Sequence, residues 1–125
     1  MALGALVMDY AGVLTDGPRL FELVRRVRAG GTPTALVTDA DAVPESYAPA
    51  FDLVVLGSTL GVRKPDPDLY RQVAARLGVP VTDCVVVDDQ LRNVRGARAA
   101  GAVVVHHEDE AVTIDELVAL FELET

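Results

Sequence analysis

The sequence predicts a single α/β domain in which helices cover both faces of a central parallel sheet of about five strands. Short, continuous apolar runs rich in Val and Leu are typical of parallel strands that are buried on both faces. These runs alternate with segments of helical periodicity, and that alternation favours a doubly wound, three-layer sheet with right-handed crossovers. The five runs are residues 5–8, 34–37, 53–56, 84–87 and 102–105.

Four helices are predicted between and after these strands, each from apolar residues at helical spacing. Gly78 and Gly101 mark the ends of the second and third helices. Thr113 is the predicted N-cap of the fourth, because Glu116 follows it three residues later. Residues 40–51 form either one helical turn or a loop. The helical segments are Leu20, Leu23, Val24 and Val27; Leu69, Val73, Ala74 and Leu77; residues 93–100; and Ile114, Leu117, Val118 and Phe121.

Composition limits the possible classes of protein. A chain of 125 residues has room for one core, so residues 1–125 are predicted to form one domain. No apolar run approaches the roughly 18 residues of a membrane span, and the first residues lack the features of a signal peptide. We therefore expect a cytoplasmic protein without a membrane partner. Its formal charge of -8 disfavours nucleic acid as a partner. Cys84, the only cysteine, is expected to be a small buried hydrophobic residue.

Polar residues follow four of the predicted strands. Because the carboxyl ends of parallel strands meet at one edge of the sheet, we expect these side chains to lie close together. A carboxylate nucleophile, a hydroxyl and an ammonium that hold a phosphoryl group, and carboxylates for a hard cation are what phosphoryl transfer to an aspartate requires. The lysine also stands out, because arginine supplies every other basic side chain. The residues are Asp9, Thr38, Lys64, Asp88 and Asp89.

The order and spacing of these residues resemble the four motifs of the haloacid dehalogenase-like hydrolase superfamily, across nearly the whole chain. This resemblance implies a Rossmann-like core without a cap domain and a Mg²⁺-dependent phosphatase that works through an aspartyl-phosphate. The matching segments are Met8 to Asp16, which contains Asp-Tyr-Ala-Gly; Thr38; Lys64-Pro65-Asp66-Pro67; and Asp88-Asp89-Gln90-Leu91-Arg92-Asn93, running into Gly96-Ala97 and Gly101.

The resemblance also implies a role for each matched residue. Asp9 is the implied nucleophile and a Mg²⁺ ligand, together with the backbone carbonyl of residue 11 and the carboxylate of Asp89. Asp88 is the implied fourth contributor to the metal site, where it orients Asp89 or a bound water. Thr38 and Lys64 are the implied partners of the phosphoryl group, whose charge they neutralise.

Two departures from the family pattern lower the expected activity. Ala11 occupies the position where phosphatases of this family have an aspartate that protonates the leaving group and then activates water. Losing a general acid/base typically costs about 10² to 10⁴ in rate, so we expect low turnover. Asp16, on the following flap, is a weak substitute. The roughly thirty residues between Asp9 and Thr38 are also too few for a cap domain, so the site is expected to be open.

Other polar residues allow two interpretations. Asn93 either supports the site or caps a helix. His106 and His107 could reach the edge of the site, although we interpret them as loop residues. The arginines of the first helix could form part of a surface for a large substrate or a partner, although we interpret them as the solvated face of that helix. They are Arg25, Arg26 and Arg28.

The expected substrate is a phosphate-bearing small molecule or macromolecule, and a second copy of the chain or a protein partner could cover the open site. A second hypothesis is a catalytically silent binding or regulatory module, which Ala11 and the missing cap both favour. A third is a phospho-accepting receiver domain, which has a similar sheet and acidic cluster. In receiver domains the acidic pair precedes the lysine, whereas here Asp88 and Asp89 follow Lys64.

Overall fold

The computed structural model describes residues 3–124, which form one five-stranded sheet with helices on both faces. The strands are β1 (Ala5–Met8), β2 (Thr34–Thr38), β3 (Leu53–Leu56), β4 (Cys84–Asp88) and β5 (Val103–His106). All neighbouring strands are parallel, in the order β3-β2-β1-β4-β5. This confirms the predicted fold class, and each predicted strand agrees with the observed one to within one residue at either end.

Alternation along the buried strands builds a core on each face of the sheet. In β1, Leu6 and Met8 pack toward the first and fourth helices, whereas Val7 packs toward the second and third. Successive side chains of a strand point to opposite faces, so an uninterrupted apolar run serves both layers. The helices are α1 (Pro18–Ala29), α2 (Pro67–Leu77), α3 (Leu91–Ala100) and α4 (Glu110–Leu120), and short 3₁₀ turns span Leu14–Asp16, Glu45–Ala50 and Val81–Asp83.

The beginning of α4 differs from the prediction. Asp109, not Thr113, is the N-cap, and its carboxylate accepts a hydrogen bond from the backbone N–H of Ala111. Thr113 lies inside the helix and is 1% exposed. Its hydroxyl bonds to the buried ring of His107. The segment predicted to be a turn or a loop contains the 3₁₀ turn Glu45–Ala50.

The sheet order places the topological switch point between β1 and β4. The chain proceeds from β1 to β2 and β3 on one side, then crosses over to β4 and β5 on the other. In doubly wound sheets, ligands bind outside the carboxyl ends of the strands at such a switch point. Receiver domains have the flavodoxin-like order 2-1-3-4-5, so the observed order excludes that hypothesis. Among residues 3–124, no helix is both long and apolar enough to cross a membrane.

Candidate active site

Lys64 lies between two aspartates at the carboxyl ends of β1 and β4. Asp9 directly follows β1, Asp88 ends β4, and Lys64 lies in the loop between β3 and α2. The Nζ of Lys64 donates hydrogen bonds to Oδ1 of Asp9 and Oδ2 of Asp88, both at 2.8 Å. The lysine side chain is only 4% exposed, so solvent screens these two ion pairs weakly. The fold thus joins the predicted nucleophile and the predicted phosphoryl-binding cation.

The carboxylate of Asp88 is engaged by several donors besides Lys64. Its Oδ1 accepts a hydrogen bond from the backbone N–H of Gln90 at 3.0 Å. The side-chain nitrogen of Asn93 lies 3.3 and 3.2 Å from the two carboxylate oxygens. Asn93 therefore supports the site from α3, which decides between its two predicted roles. These contacts favour a positioning role for Asp88, and metal ligation by it stays a prediction.

Burial makes the carboxyl group of Asp9 harder to ionise. Desolvation is the largest cause, the positive charge of Lys64 opposes it, and the negative charge of Asp88 adds to it. The net effect raises the pKa of Asp9 to about 6. Above that pH Asp9 is mainly ionised, which is the form in which a carboxylate acts as a nucleophile or binds a cation.

Asp89 lies against the flap, which comprises residues 10–17 and follows β1. A Cβ added to Gly12 would lie 2.2 Å from Oδ2 of Asp89, so a side chain at this position would displace that carboxylate. Gly12 also has a φ of 81°, a conformation that glycine adopts without strain. Oδ1 of Asp89 is buried and has no hydrogen-bond partner within residues 3–124. A buried acceptor without a donor indicates a missing partner.

The acidic cluster suits a divalent cation. Asp9, Asp88 and Asp89 each offer an oxygen, and these oxygens lie within 4.8 Å of one another. With all three carboxylates ionised, Lys64 balances only one of their charges, and two negative charges remain. Hard oxygen donors of this kind are what Mg²⁺ prefers, and the unpartnered Oδ1 of Asp89 is ready to bind one. The residues therefore fit a magnesium ion.

Thr38 supplies a hydroxyl at the same edge of the sheet. It ends β2 and is 4% exposed. Its Oγ1 accepts a hydrogen bond from the backbone N–H of Ala40 at 3.2 Å, which leaves the hydroxyl proton available to a different acceptor. The backbone N–H of Gly57 fixes the Thr38 carbonyl at 2.9 Å. Thr38 is thus held in place to donate a hydrogen bond.

The flap brings no acid or base at position 11. Ala11 is exposed and presents only a methyl group. Asp16, the weak substitute considered from the sequence, turns toward β5, and its Oδ2 lies 2.8 Å from Nε2 of His107. The described part of the chain between Asp9 and Thr38 contains the flap, α1 and the turn into β2, without an inserted domain. No inserted domain from this segment therefore covers the edge of the sheet.

A sequence profile described as "Hydrolase: haloacid dehalogenase-like hydrolase" matches residues 18–101. The chain belongs to the haloacid dehalogenase-like hydrolase family. A crystal structure of an uncharacterized protein from Corynebacterium glutamicum has a TM-score of 0.86 at 34% identity, and the match covers 99% of this chain and 98% of that one.

Two further comparisons match part of a longer protein. A sesquiterpene phosphatase of Aspergillus oryzae is 28% identical over 92% of this chain and 62% of its own length. A haloacid dehalogenase family enzyme of Bacteroides thetaiotaomicron, solved with magnesium and inorganic phosphate, has a TM-score of 0.60 at 15% identity over 78% of this chain and 57% of that one. The latter likeness shows the fold alone. The chain spans less than two thirds of the length of the curated relatives it matches.

Two contacts that the sequence did not predict shape this haloacid dehalogenase-like site. Gly96 of α3 lies very close to the lysine loop, which is the segment between β3 and α2 that carries Lys64. A Cβ added to Gly96 would be 2.0 Å from the carbonyl oxygen of Pro65. This approach sets the position of the loop that carries Lys64. The loop interpretation of the histidines was also incomplete, because His107 is 3% exposed and His106 bonds to the carbonyl oxygen of Asp89 at 3.0 Å. Two consecutive histidines at a strand end were the only signal in the sequence.

Proposed function

We propose that this chain catalyses Mg²⁺-dependent transfer of a phosphoryl group to Asp9, followed by slow hydrolysis of the aspartyl-phosphate. The observation that carries the proposal is the buried ammonium of Lys64, which bonds to both Asp9 and Asp88 at 2.8 Å. A nucleophilic carboxylate beside a fixed cation, on the crevice of an open α/β sheet, is arranged for attack on an anionic phosphate ester.

In the first step, an oxygen of Asp9 attacks phosphorus while the bond from phosphorus to the ester oxygen breaks. The ion pair with Lys64 holds the carboxylate through Oδ1, and this leaves Oδ2 for the new bond. Lys64 and the hydroxyl of Thr38 stabilise the charge on the equatorial phosphoryl oxygens. Since Ala11 has no proton to give, the departing alkoxide takes one from water. Esters with acidic leaving groups are therefore the fastest substrates.

A Mg²⁺ ion would be held by the carboxylates of Asp9 and Asp89 and by the backbone carbonyl of Ala11, with Asp88 beside them. When bound, such an ion neutralises phosphate charge and aligns the phosphoryl group with its nucleophile. The unpartnered Oδ1 of Asp89 and the two uncompensated charges of the acidic cluster support this ligand set. The magnesium in the Bacteroides thetaiotaomicron enzyme agrees with it.

The second step is the slow one in this proposal. Hydrolysis requires a water molecule to attack the aspartyl-phosphate and to lose a proton as it does so. Ala11 cannot accept that proton, and Asp16 is bonded to His107 instead. The expected loss is about 10² to 10⁴ in rate relative to a site with a general base, so the phosphorylated form accumulates.

The open edge suits a phosphate-bearing small molecule or the phosphorylated surface of a macromolecule. The name of the Aspergillus oryzae relative, a sesquiterpene phosphatase, supports a phosphate ester as the substrate. Because no inserted domain lies between Asp9 and Thr38, we propose that a second copy of the chain or a protein partner covers the site. Such a cover would exclude water and strengthen the electrostatic contacts with the substrate.

A stopped-flow experiment with p-nitrophenyl phosphate and Mg²⁺ tests this function. The native protein is expected to release p-nitrophenol in a burst stoichiometric with protein, followed by a much slower phase. Asp9→Asn and chelation of the metal should both remove the burst. Asp115→Asn, which alters an exposed carboxylate on α4, is the matched control and should keep it. A burst that survives in Asp9→Asn would contradict the proposal.

A second candidate function is a catalytically silent binding or regulatory module. The exposed methyl group of Ala11, where the acid/base carboxylate is expected, is the observation that favours it. This module would keep the fold and the cation site and present the open edge to a partner. Turnover of a panel of phosphate esters at ordinary enzyme rates would exclude it, whereas the absence of both burst and turnover would support it.

A further inference from the structure

The two histidines at the end of β5 contact opposite walls of the site. His106 bonds to the backbone of the β4–α3 loop through the carbonyl oxygen of Asp89. His107 bonds to the flap through the carboxylate of Asp16. The backbone N–H of His107 also donates to the carbonyl oxygen of Asp88 at 2.9 Å, which ties this strand end to the base of the site.

The hydrogen-bond partners of His107 determine which ring nitrogen carries a proton. An ionised carboxylate only accepts hydrogen bonds, so Nε2 must donate to Oδ2 of Asp16 across the 2.8 Å contact. The other nitrogen, Nδ1, lies 2.7 Å from the hydroxyl oxygen of Thr113. In the neutral ring, that hydroxyl donates to Nδ1. The two hydrogen bonds that join Thr113, His107 and Asp16 therefore connect α4 to the flap, and each of them has a defined donor and acceptor.

Contacts within the flap connect Asp16 to the residues that would bind the cation. Directly before Asp16, the hydroxyl oxygen of Thr15 accepts a hydrogen bond from the backbone N–H of Gly12 at 2.9 Å. Gly12 in turn lies against the carboxylate of Asp89 and follows the carbonyl of Ala11. Fixing Asp16 thus restricts where the residue 11 carbonyl and the Asp89 carboxylate stand relative to each other.

His106 restrains the opposite wall by a separate contact. A carbonyl oxygen only accepts, so Nε2 of His106 carries the proton in its 3.0 Å bond to Asp89. This bond holds the backbone of the residue whose side-chain Oδ1 is buried without a partner. The two rings therefore act on the two chain segments between which a cation would bind.

We propose that His106 and His107 form a clamp that positions the flap and the Asp89 loop for binding of a divalent cation. They are positioning residues, because each acts through another residue. The expected effect of the clamp on metal affinity rests on the proposed function, whereas its expected effect on the flap does not. Partners that orient the ligands of a metal are typically worth about 10- to 100-fold in its affinity.

The test uses Asp16→Ala, Asp16→Asn and His106→Ala, since replacing the buried His107 itself could prevent folding. Asp115→Ala makes the same charge change as Asp16→Ala on the exposed face of α4 and is the matched control. Affinity for Mn²⁺ is measured by electron paramagnetic resonance of the free ion. Hydrogen exchange of the flap amides is measured without metal, since their hydrogen bonds to Tyr10 and Thr15 report how firmly the flap is held.

Asp16→Ala is expected to weaken Mn²⁺ binding about tenfold and to speed exchange of the flap amides by a similar factor. Asp16→Asn keeps an oxygen acceptor for Nε2 of His107 and should stay within about threefold of native in both measurements. His106→Ala should weaken Mn²⁺ binding by roughly tenfold without changing flap exchange. Asp115→Ala should change neither quantity.

Native affinity and native flap exchange in Asp16→Ala would overturn the clamp, as would equal effects of Asp16→Ala and Asp115→Ala. If the native protein binds no Mn²⁺ at all, the proposed cation site fails, while flap exchange in Asp16→Ala still decides whether His107 holds the flap. The two failures are therefore distinguishable.

Discussion

The two sides of the site differ in how their carboxylates are paired. On the lysine side, which comprises Asp9, Lys64, Asp88 and Asn93, the ammonium bonds to both carboxylates and the amide nitrogen supports one of them. The amide oxygen of Asn93 itself has no hydrogen-bond partner within residues 3–124. On the flap side, which comprises Ala11, Gly12 and Asp89, position 11 presents a methyl group, and Asp89 has a buried carboxylate oxygen without a partner within the same residues.

This difference separates the two halves of the proposed reaction. The lysine side holds the proposed nucleophile and a fixed cation, which are the groups that the proposed Mg²⁺-dependent transfer uses to accept a phosphoryl group. The flap side retains the contacts that would place a metal ion but lacks the group that moves protons to and from water. A site of this kind is expected to be phosphorylated more readily than it is dephosphorylated.

The largest of the expected effects is the loss of stability when Lys64 is removed from the lysine side. Lys64→Met leaves Asp9 and Asp88 buried beside each other without their cation, and loss of one partner of a buried ion pair costs about 3–5 kcal/mol. The metal-free protein should therefore lose that much free energy of unfolding in urea denaturation. Arg63→Met, in the same loop but at an exposed residue, should lose about 1 kcal/mol or less. Equal losses would contradict a structural role for the ion pairs.

Introducing a carboxylate on the flap side should raise the rate of hydrolysis. Ala11→Asp supplies an acid for the leaving group and a base for water, so steady-state hydrolysis of a phosphate ester should rise about 100-fold. Ala11→Asn has a similar shape without the titratable group and should stay near the native rate. An increase in both variants would show that the proton-transfer argument is wrong.

The raised pKa of Asp9 should make the stability of the metal-free protein depend on pH. Its folded pKa is raised from 3.8 to about 6, so the folded state binds the proton more tightly than the unfolded state. This contribution is fully present below about pH 3.8 and is lost as the pH rises to about 6. Relative to Asp9→Asn, the native protein should lose about 1–3 kcal/mol across that window in urea denaturation. A constant difference between the two proteins from pH 4 to 7 would contradict the shift.

A smaller effect tests how the lysine loop is positioned. Gly96→Ala places a Cβ where the carbonyl oxygen of Pro65 now lies, and the resulting displacement should cost about 1–3 kcal/mol. It should also slow the burst with p-nitrophenyl phosphate, because Lys64 moves with the loop. Gly30→Ala is the matched control, since its Cβ would meet nothing closer than 3.5 Å. Equal melting temperatures for the two variants would show that the close approach is unimportant.

The sequence predicted what depends on local pattern. Continuous apolar runs located all five strands, and the left-handed glycines Gly78 and Gly101 end α2 and α3 where expected. The predicted start of α4 was wrong because Asp109 and Thr113 are both capable caps, and Thr113 bonds instead to the ring of His107, a contact that the local pattern does not show.

Contacts between distant segments could not be predicted in the same way. The approach of Gly96 to Pro65 depends on how α3 packs against a loop 31 residues earlier in the chain. The bond from His107 to Asp16 likewise joins residues 91 positions apart. Sequence pattern located the polar residues at the edge of the sheet, whereas packing determined which of them touch.

The lifetime of the phosphorylated protein tests the central claim most directly. The native protein, Ala11→Asp and Asp9→Asn are incubated with acetyl phosphate and Mg²⁺, desalted and followed by intact mass. We expect a single phosphoryl adduct on the native protein that decays at least about 100-fold more slowly than the adduct on Ala11→Asp, and none on Asp9→Asn. An adduct that forms equally on Asp9→Asn, or a native protein that is never phosphorylated, would contradict the account.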